Sequence, residues 1–510
     1  MADDSNSVAF FPAEVLAAAA RRFPEKTALI FKDEALAFGA LDGQVSALAG
    51  NLQHEAIRAG DRVGLLLPNS IAFALAYYAT QRAGAVTVVL DARLKGKELV
   101  GVLRDADLKL LITHQKLVDD ARDALKESKK IPLWIVEGQG AESFELRLNA
   151  APQAFTRVRR APENDALILY TSGTTGEPKG VVLNFVNLAQ FPEIMGTMHH
   201  TSSHTTWGCI LPMSHISGPI YLNEIVDKGS RMVIFDQFNP VTLLEGIQKH
   251  RVTVFHGVPI IFQLLLNLPN ARSYDTRSVE LAGMMGTTVP LALMRAFKDL
   301  LPQVKVIQGY GLTETSPLLT LTEPHMADSK MASIGRAVPG VEIKIVDENG
   351  AEVAGGQAGE ILTRGPHVMK GYFRREAATA ERIRDGWFHT GDVGKKDADG
   401  YYYHLGRKDD MIITGGLNVY PAEVENMLAE HPAVEEAVVF PIADAKRGHV
   451  IGAAAVPRRG QKLVEKELLG FLRANLASFK VPQKIIIRES LPRNATGKVI
   501  RDAKILLGQE

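Results

Sequence analysis

The sequence predicts an α/β protein of more than one domain. A large N-terminal part is expected to combine layered α/β subdomains with a β-rich subdomain, and a small α+β unit to follow it. Three observations carry this. The chain has 510 residues, too many for one core at ~100–200 residues per domain. Short β-rich runs alternate with helix-like stretches through its first part, the pattern of largely parallel strands in α/β layers. The character then changes near Ile334 and again near Arg407.

The elements follow in order. Arg62–Leu67, Val86–Leu90, Lys109–Thr113, Pro132–Glu137, Met232–Phe235 and Val252–Phe255 read as strands, with helices such as Phe73–Arg82 and Lys95–Asp105 among them. From Ile334 onward, Gly335, Pro339, Gly340, Gly350, Gly355, Gly356, Gly359, Gly365 and Gly371 punctuate short strands (Val341–Val346, Glu360–Thr363), as in antiparallel structure. The last part reads as helix Ala422–Glu430, strand Val434–Pro441, helix Glu465–Leu476 and strand Gln483–Ile487, a unit of domain size. The charged run GRKDD (406–410) interrupts two β-rich segments and marks the expected boundary, giving domains 1–408 and 409–510. There is no internal repeat, low-complexity tract or long linker.

Composition excludes several function classes. Hydrophobic residues are 46% and charged residues 23%, the balance of a folded chain. Lys+Arg and Asp+Glu are both 58, so no net charge argues for nucleic acid or a polybasic membrane patch. Cys209 is the sole cysteine, which rules out an intrachain disulfide and a multi-cysteine metal site. With no activating partner nearby in sequence, it reads as a small buried hydrophobe. The start MADDSNSVAF has no secretory pattern, and Val63–Leu90 is broken by Pro68, Asn69, Ser70, Gln81, Arg82 and Gly84. A cytoplasmic protein without a membrane span is expected.

Five segments carry chemistry. YTSGTTGEPKG (170–180) mixes hydroxyls (Thr171, Ser172, Thr174, Thr175) with Gly173 and Gly176 and ends at Lys179. Glycines let backbone N–H groups curl round an anion, hydroxyls add donors and a lysine adds charge, the physics of a phosphate cradle. It lacks the Gly-Lys-Ser/Thr ending of a Walker A loop. QGYGLTET (308–315) offers the Tyr310 ring to a base, Thr313 as a donor and Glu314 as an oxygen ligand for a hard cation. GWFHTGD (386–392), with GRKDD after it, sets Asp392 and Arg407 where a vicinal diol would suit them; a weak surface ion pair is the competing reading. Gly415 and Gly416 permit close approach of a thin ligand arm or serve an ordinary turn. PRNATGKVIR (492–501) presents Lys498 as a mobile cation or part of an exposed basic tail.

In this order and spacing, YTSGTTGEPKG, YGLTET, GWFHTGD, GRKDDMIITGG and PRNATGK resemble the adenylate-forming superfamily: acyl- and aryl-CoA synthetases, luciferases and peptide adenylation domains, with bacterial fatty-acyl-CoA synthetases nearest. The resemblance spans roughly residues 10–505. It implies an acid-thiol ligase that joins a carboxylate to ATP, releases pyrophosphate, and passes the acyl group from the adenylate to coenzyme A. It implies that Thr171, Ser172, Gly173, Thr174, Thr175, Gly176 and Lys179 form the loop over the β- and γ-phosphates. Tyr310 would stack on adenine, Thr313 contact the α-phosphate or acyl oxygen, Glu314 bind Mg²⁺, and Asp392 and Arg407 hold the ribose. Lys498 would bridge carboxylate and α-phosphate, where two anions meet and charge develops. Asp409 matches the hinge, with Lys408 the alternative pivot. Rotation of the small, mobile C-terminal domain there would exchange Lys498 for the Gly415–Gly416 loop, which would line the pantetheine channel.

The same resemblance places the acyl pocket at His215, Ile216, Ile220, Met284, Met285, Thr287 and Thr288, with Met213 and Ser214 beside them. His215 stands where amino-acid-activating members carry an aspartate, which disfavours an amino acid, since a buried ammonium would be left unpaired. No arginine in the set suits a second carboxylate. Two departures stand out: Asn184–Phe185 replaces a common Thr-His, and Met285–Thr288 replaces a Gly-Ala-Pro run, which weakens transfer of substrate identity. A medium- to long-chain fatty acid ranks first and an aryl acid (benzoate- or cinnamate-like) second. A non-catalytic nucleotide-binding relative is the alternative of another class, and a luciferase-type oxygenase the enzymatic outsider. A monomer or homodimer is expected.

Overall fold

Residues 9–149, 155–172, 178–287, 289–324, 326, 328–414, 417–444, 446–458, 460–493 and 499–508 are described by a computed structural model. Among them, two mainly parallel sheets make up most of the N-terminal part. The larger has nine strands, in spatial order Arg336–Ala337, Thr320–Leu321, Lys305–Tyr310, Leu281–Met284, Val254–Gly257, Thr206–Cys209, Arg231–Ile234, Thr27–Phe31 and Glu34–Ala37. The six from Lys305–Tyr310 to Thr27–Phe31 run parallel. The second has seven strands, ordered Gly371–Tyr372, Pro178–Asn184, Asp165–Ser172, Val86–Val89, Arg62–Leu66, Leu110–His114 and Leu133–Val136.

Helices Ile71–Arg82 and Ser217–Lys228 share one core with residues of both sheets, including Leu65, Leu167, Trp207 and Ile307. Ile71–Arg82 is buried all round, as a helix packed on every side must be. Its N-terminus is capped by the Ser70 hydroxyl, which accepts from Phe73 N. Tyr77 Oη donates to Asn223 Oδ1 at 2.9 Å, and Tyr78 Oη to the Leu222 carbonyl at 2.6 Å, so both buried hydroxyls are satisfied.

An antiparallel sheet follows, of Glu342–Val346, Gly359–Arg364, Trp387–Lys396, Ile383–Arg384 and Tyr402–Arg407. The last sheet holds Leu417–Val419, Ile412–Thr414, Gly448–Pro457, Val434–Asp444 and Lys484–Ile487. Helices Pro421–Glu430 and Glu465–Asn475 close over it around Val424, Leu428, Val439, Ile451, Leu468 and Leu472. Among the described residues no strand pairing joins this sheet to the strands before it. The architecture is the expected one: a large α/β part with a β-rich subdomain, then a small α+β unit. No helix of the described residues is long and apolar enough to cross a membrane. Cys209 is fully buried and burial pushes its thiol up to about 12, which suits an inert hydrophobe.

Candidate active site

The motif residues gather where strands of the two parallel sheets end, the region where open α/β sheets take ligands. Tyr310 closes the strand Lys305–Tyr310, and the chain then turns at Gly311 into the single turn Thr313–Thr315. A side chain at 311 is impossible: its Cβ would lie 1.5 Å from the Pro317 carbonyl oxygen. Thr313 and Glu314 are both half-buried. Glu314 is held twice, its carbonyl accepting from Met369 N at 2.8 Å and its Oε1 from Tyr372 Oη at 2.9 Å.

Tyr372 lies on the edge strand of the seven-stranded sheet, paired with Val181 just beyond Lys179. Lys179 Nζ stands 5.6 Å from the Tyr372 ring centre. Thr171 and Lys179 face each other at the mouth of the strands Asp165–Ser172 and Pro178–Asn184. Tyr372 therefore ties the exit of the Gly/Ser/Thr segment to the Glu314 turn, and nothing in its local sequence announced that role. Gly173, Thr174, Thr175 and Gly176 lie outside the described residues, as do Thr288, Gly415, Gly416 and Lys498.

Asp392 sits opposite Arg407 in the antiparallel register. Arg407 Nη1 donates to Asp392 Oδ1 at 2.9 Å, and Tyr310 Oη to Oδ2 at 2.6 Å. Asp392 is 2% exposed. Burial alone would raise its carboxyl, but His404, Arg407 and Tyr310 together hold it below the usual range. The His404 ring also packs on Tyr310, with centres 5.4 Å apart. Gly391, at φ +72°, lets this cluster close: a Cβ there would come within 2.8 Å of Arg382 Nη1 and 3.2 Å of Arg407 Nη2. Sequence reasoning found Tyr310, Asp392 and Arg407 but missed His404, which strand alternation from Arg407 would not single out. Lys408 Nζ pairs with Glu360 at 3.3 Å; Asp409 is exposed on the turn between Tyr402–Arg407 and Ile412–Thr414.

The expected acyl-pocket residues divide. Met213, Ile216 and Ile220 are buried in the core between the sheets, and half-buried Met285 packs against it. Met284 does not join them. Successive strand residues point to opposite faces, so Met284 turns into the second core with Phe255 and Phe297. Thr287 is exposed, and so is His215, which stands near Asp91. Asn69 fixes the loop before Ile216, donating to the carbonyls of Leu211 and Phe235 at 3.0 Å and accepting from Met213 N at 2.6 Å. The same core holds Phe191, Trp207 and Tyr221.

The arrangement joins a cation-bearing loop exit, a carboxylate tied to it through Tyr372, and a buried Asp–Arg–Tyr cluster. Comparison with known proteins agrees with that geometry. Residues 16–373 match the AMP-binding enzyme model, and residues 423–498 match the AMP-binding enzyme C-terminal domain. The chain belongs to the AMP-binding enzyme family. A long-chain-fatty-acid–CoA ligase of Bacillus subtilis (strain 168) is 33% identical, over 96% of this chain and 92% of the relative. A feruloyl-CoA synthase of an Amycolatopsis species is 34% identical, over 94% and 96%. The crystal structure of ATP-bound MatB from Rhodopseudomonas palustris superposes with a TM-score of 0.88 at 30% identity, covering 97% of this chain and 98% of that one. Within the family the chain is an AMP-forming acyl-CoA synthetase, of the group whose substrates include ATP and CoA. The names of these relatives cover both alkyl and aryl acids, so they leave the acid open.

Proposed function

We propose that this family member activates a flat, ring-bearing carboxylic acid with ATP and passes it to coenzyme A. The observation that supports the ATP half is the Asp392 cluster. A carboxylate kept ionised by Arg407, on the strand Trp387–Lys396 and beside the Tyr310 ring, suits a ribose diol with its adenine against the tyrosine. Lys179, Thr171 and the segment between them take the β- and γ-phosphates, and Thr313 the α-phosphate side. Glu314 fits Mg²⁺: it is a half-buried carboxylate oriented by Tyr372, and one or two carboxylates beside phosphates are how Mg²⁺ is commonly held. When bound, the ion neutralises charge on the departing pyrophosphate.

Lys498 supplies the cation between carboxylate and α-phosphate in the first step. Rotation of residues 409–510 about Asp409, with Lys408 the alternative pivot, then brings Gly415–Gly416 to the pantetheine arm. One cleft thereby serves two reactions in turn. A cytoplasmic location accompanies this role.

For the acid, the aromatic set Phe191, Trp207 and Tyr221 supports a ring over an extended chain, because it shares the core of Ile216 and Ile220, Tyr221 follows Ile220 on one helix, and Trp207 and Tyr221 already stack on each other as rings stack on flat ligands. This reverses the order favoured by sequence. A medium- to long-chain fatty acid is the second reading, favoured by the apolar Ile216, Ile220 and Met285 and by the Bacillus relative. A pyrophosphate-release screen across aryl, linear and dicarboxylic acids, with and without CoA, tests both. Turnover is expected with aryl acids, and a preference for acetate or malonate would contradict both versions of the pocket.

A further inference from the structure

Against the rings of Trp207 and Tyr221, which share the core of Ile216 and Ile220, lies a buried histidine whose hydrogen bonding is half complete. His256, Gly283 and Ile307 stand level on three neighbouring parallel strands. Met285, two residues beyond Gly283, shares their face. The His256 ring is 1% exposed and enclosed by aromatic rings: Trp207 at 5.1 Å, Tyr221 at 5.7 Å and Phe191 at 6.4 Å between centres. Its Nδ1 lies 3.0 Å from Tyr221 Oη. Its Nε2 has no hydrogen-bond partner among the described residues.

The tautomer follows from counting donors. Burial pushes the imidazole down to about 3, so it is neutral and carries one N–H. Tyr221 Oη has Nδ1 as its one bonding partner among the described residues. If Tyr221 donates to Nδ1, a single group, the Nε2–H, is left unpaired. If Nδ1–H donates instead, both the tyrosine proton and the Nε2 lone pair are stranded. The first arrangement costs less, so Nε2 is an unpaired donor.

Gly283 shows where that donor lies. A Cβ on it would come 2.4 Å from His256 Cδ2 and 3.0 Å from Nε2, so the Cδ2–Nε2 edge lies over the glycine, in space a side chain would have filled. At 3.3 Å per strand residue, Gly283 lies roughly 7 Å inside Met285. Met285 is unbranched and half-buried, well suited to yield to an incoming ring.

We propose that His256 is a specificity residue of the acid pocket, its Nε2–H donating to an oxygen acceptor (phenol, methoxy or carbonyl) on the distal edge of an aryl acid. This rests on the aryl-acid ligase reading above. A plain alkyl terminus or an unsubstituted ring leaves the donor buried and unpaired, and a site built to hydrogen-bond a group discriminates against ligands that lack it.

The test compares kcat/KM for pyrophosphate release with 4-hydroxycinnamate, 4-methoxycinnamate, cinnamate and octanoate. The full-length wild type, His256→Leu, His256→Gln and Tyr221→Phe are measured side by side, with the Tm of each taken without ligand. The wild type is expected to favour the oxygen-bearing acids over cinnamate by about tenfold or more. His256→Leu should bring that ratio close to one, while His256→Gln, which keeps an N–H donor, should restore part of it. If His256→Leu does not fold, Tyr221→Phe decides: freeing Nδ1 unlocks the tautomer, and the ratio should fall. An unchanged ratio in the folded variants, or a wild type indifferent to the ring oxygen, overturns this inference alone. Absence of release with every acid would sink the ligase reading and this inference with it.

Discussion

Arg407 Nη1 donates to Asp392 Oδ1 at 2.9 Å across a directly opposed pair of antiparallel strand residues. The pairing holds a nearly buried carboxylate ionised, and with Tyr310 on its other oxygen it fixes three proposed nucleotide contacts as one unit. Asp392→Asn keeps the shape and removes the charge. Its KM for ATP should rise at least tenfold, and stability should fall by about 3 kcal/mol, because Arg407 is left without its counter-ion. Initial-rate kinetics and denaturant melts check the two effects separately.

Tyr372 connects the exit of the Gly/Ser/Thr segment to Glu314. Tyr372→Phe deletes the one hydrogen bond that Glu314 Oε1 receives among the described residues and should leave the fold intact. A bond to a charged acceptor contributes about 1.5–3 kcal/mol, so half-saturation of pyrophosphate release by Mg²⁺ should move upward by about tenfold. An unshifted Mg²⁺ titration would separate Tyr372 from the metal.

Stability should also decline with pH through one residue away from the nucleotide. Glu224 is fully buried, and burial pushes its carboxyl up to about 8, against the opposing pull of Thr201 and Lys228. The folded chain keeps this proton while the unfolded chain loses it near 4.5, the ordinary value. Its contribution is therefore complete below that value and is lost as pH rises toward 8, at up to about 1.4 kcal/mol per unit. Glu224→Gln should flatten that decline in urea melts taken at several pH values. Asp392 acts in the opposite sense: its depressed carboxyl contributes above 3.8, and that contribution is lost as pH falls through the folded value.

The proposed hinge has its own signature. Asp409→Pro restricts φ on the exposed turn before Ile412–Thr414. Adenylation should survive while transfer to CoA falls tenfold or more, about 1.4 kcal/mol in barrier per decade. Wild-type rates in both steps would remove Asp409 as the pivot.

Much of this was legible in the residue string, for identifiable reasons. Strands such as Arg62–Leu66 and Lys484–Ile487 lie within a residue or two of their expected bounds, because apolar runs flanked by turn residues announce themselves. Asp392 and Arg407 were legible because each lies in a compact motif, GWFHTGD and GRKDD. Tyr372, Asn69 and His256 were not, since sheet register and long-range packing give them their partners from distant segments, and His404, on the same strand as Arg407, belongs to no motif of its own. Met284 was misplaced for a reason the sequence did contain: period-two alternation sends it and Met285 to opposite faces. The acid's identity was least legible, because it depends on how Trp207, Tyr221 and His256 pack together across three elements.

The account is tested most directly by exchange of labelled pyrophosphate into ATP without CoA, run with an aryl acid on the wild type and on Lys498→Ala. It predicts exchange in the wild type that requires the acid, and near-complete loss in Lys498→Ala, with that variant still forming thioester from presynthesised acyl-adenylate and CoA. Exchange that proceeds without acid, or a variant that loses both half-reactions equally, would contradict it.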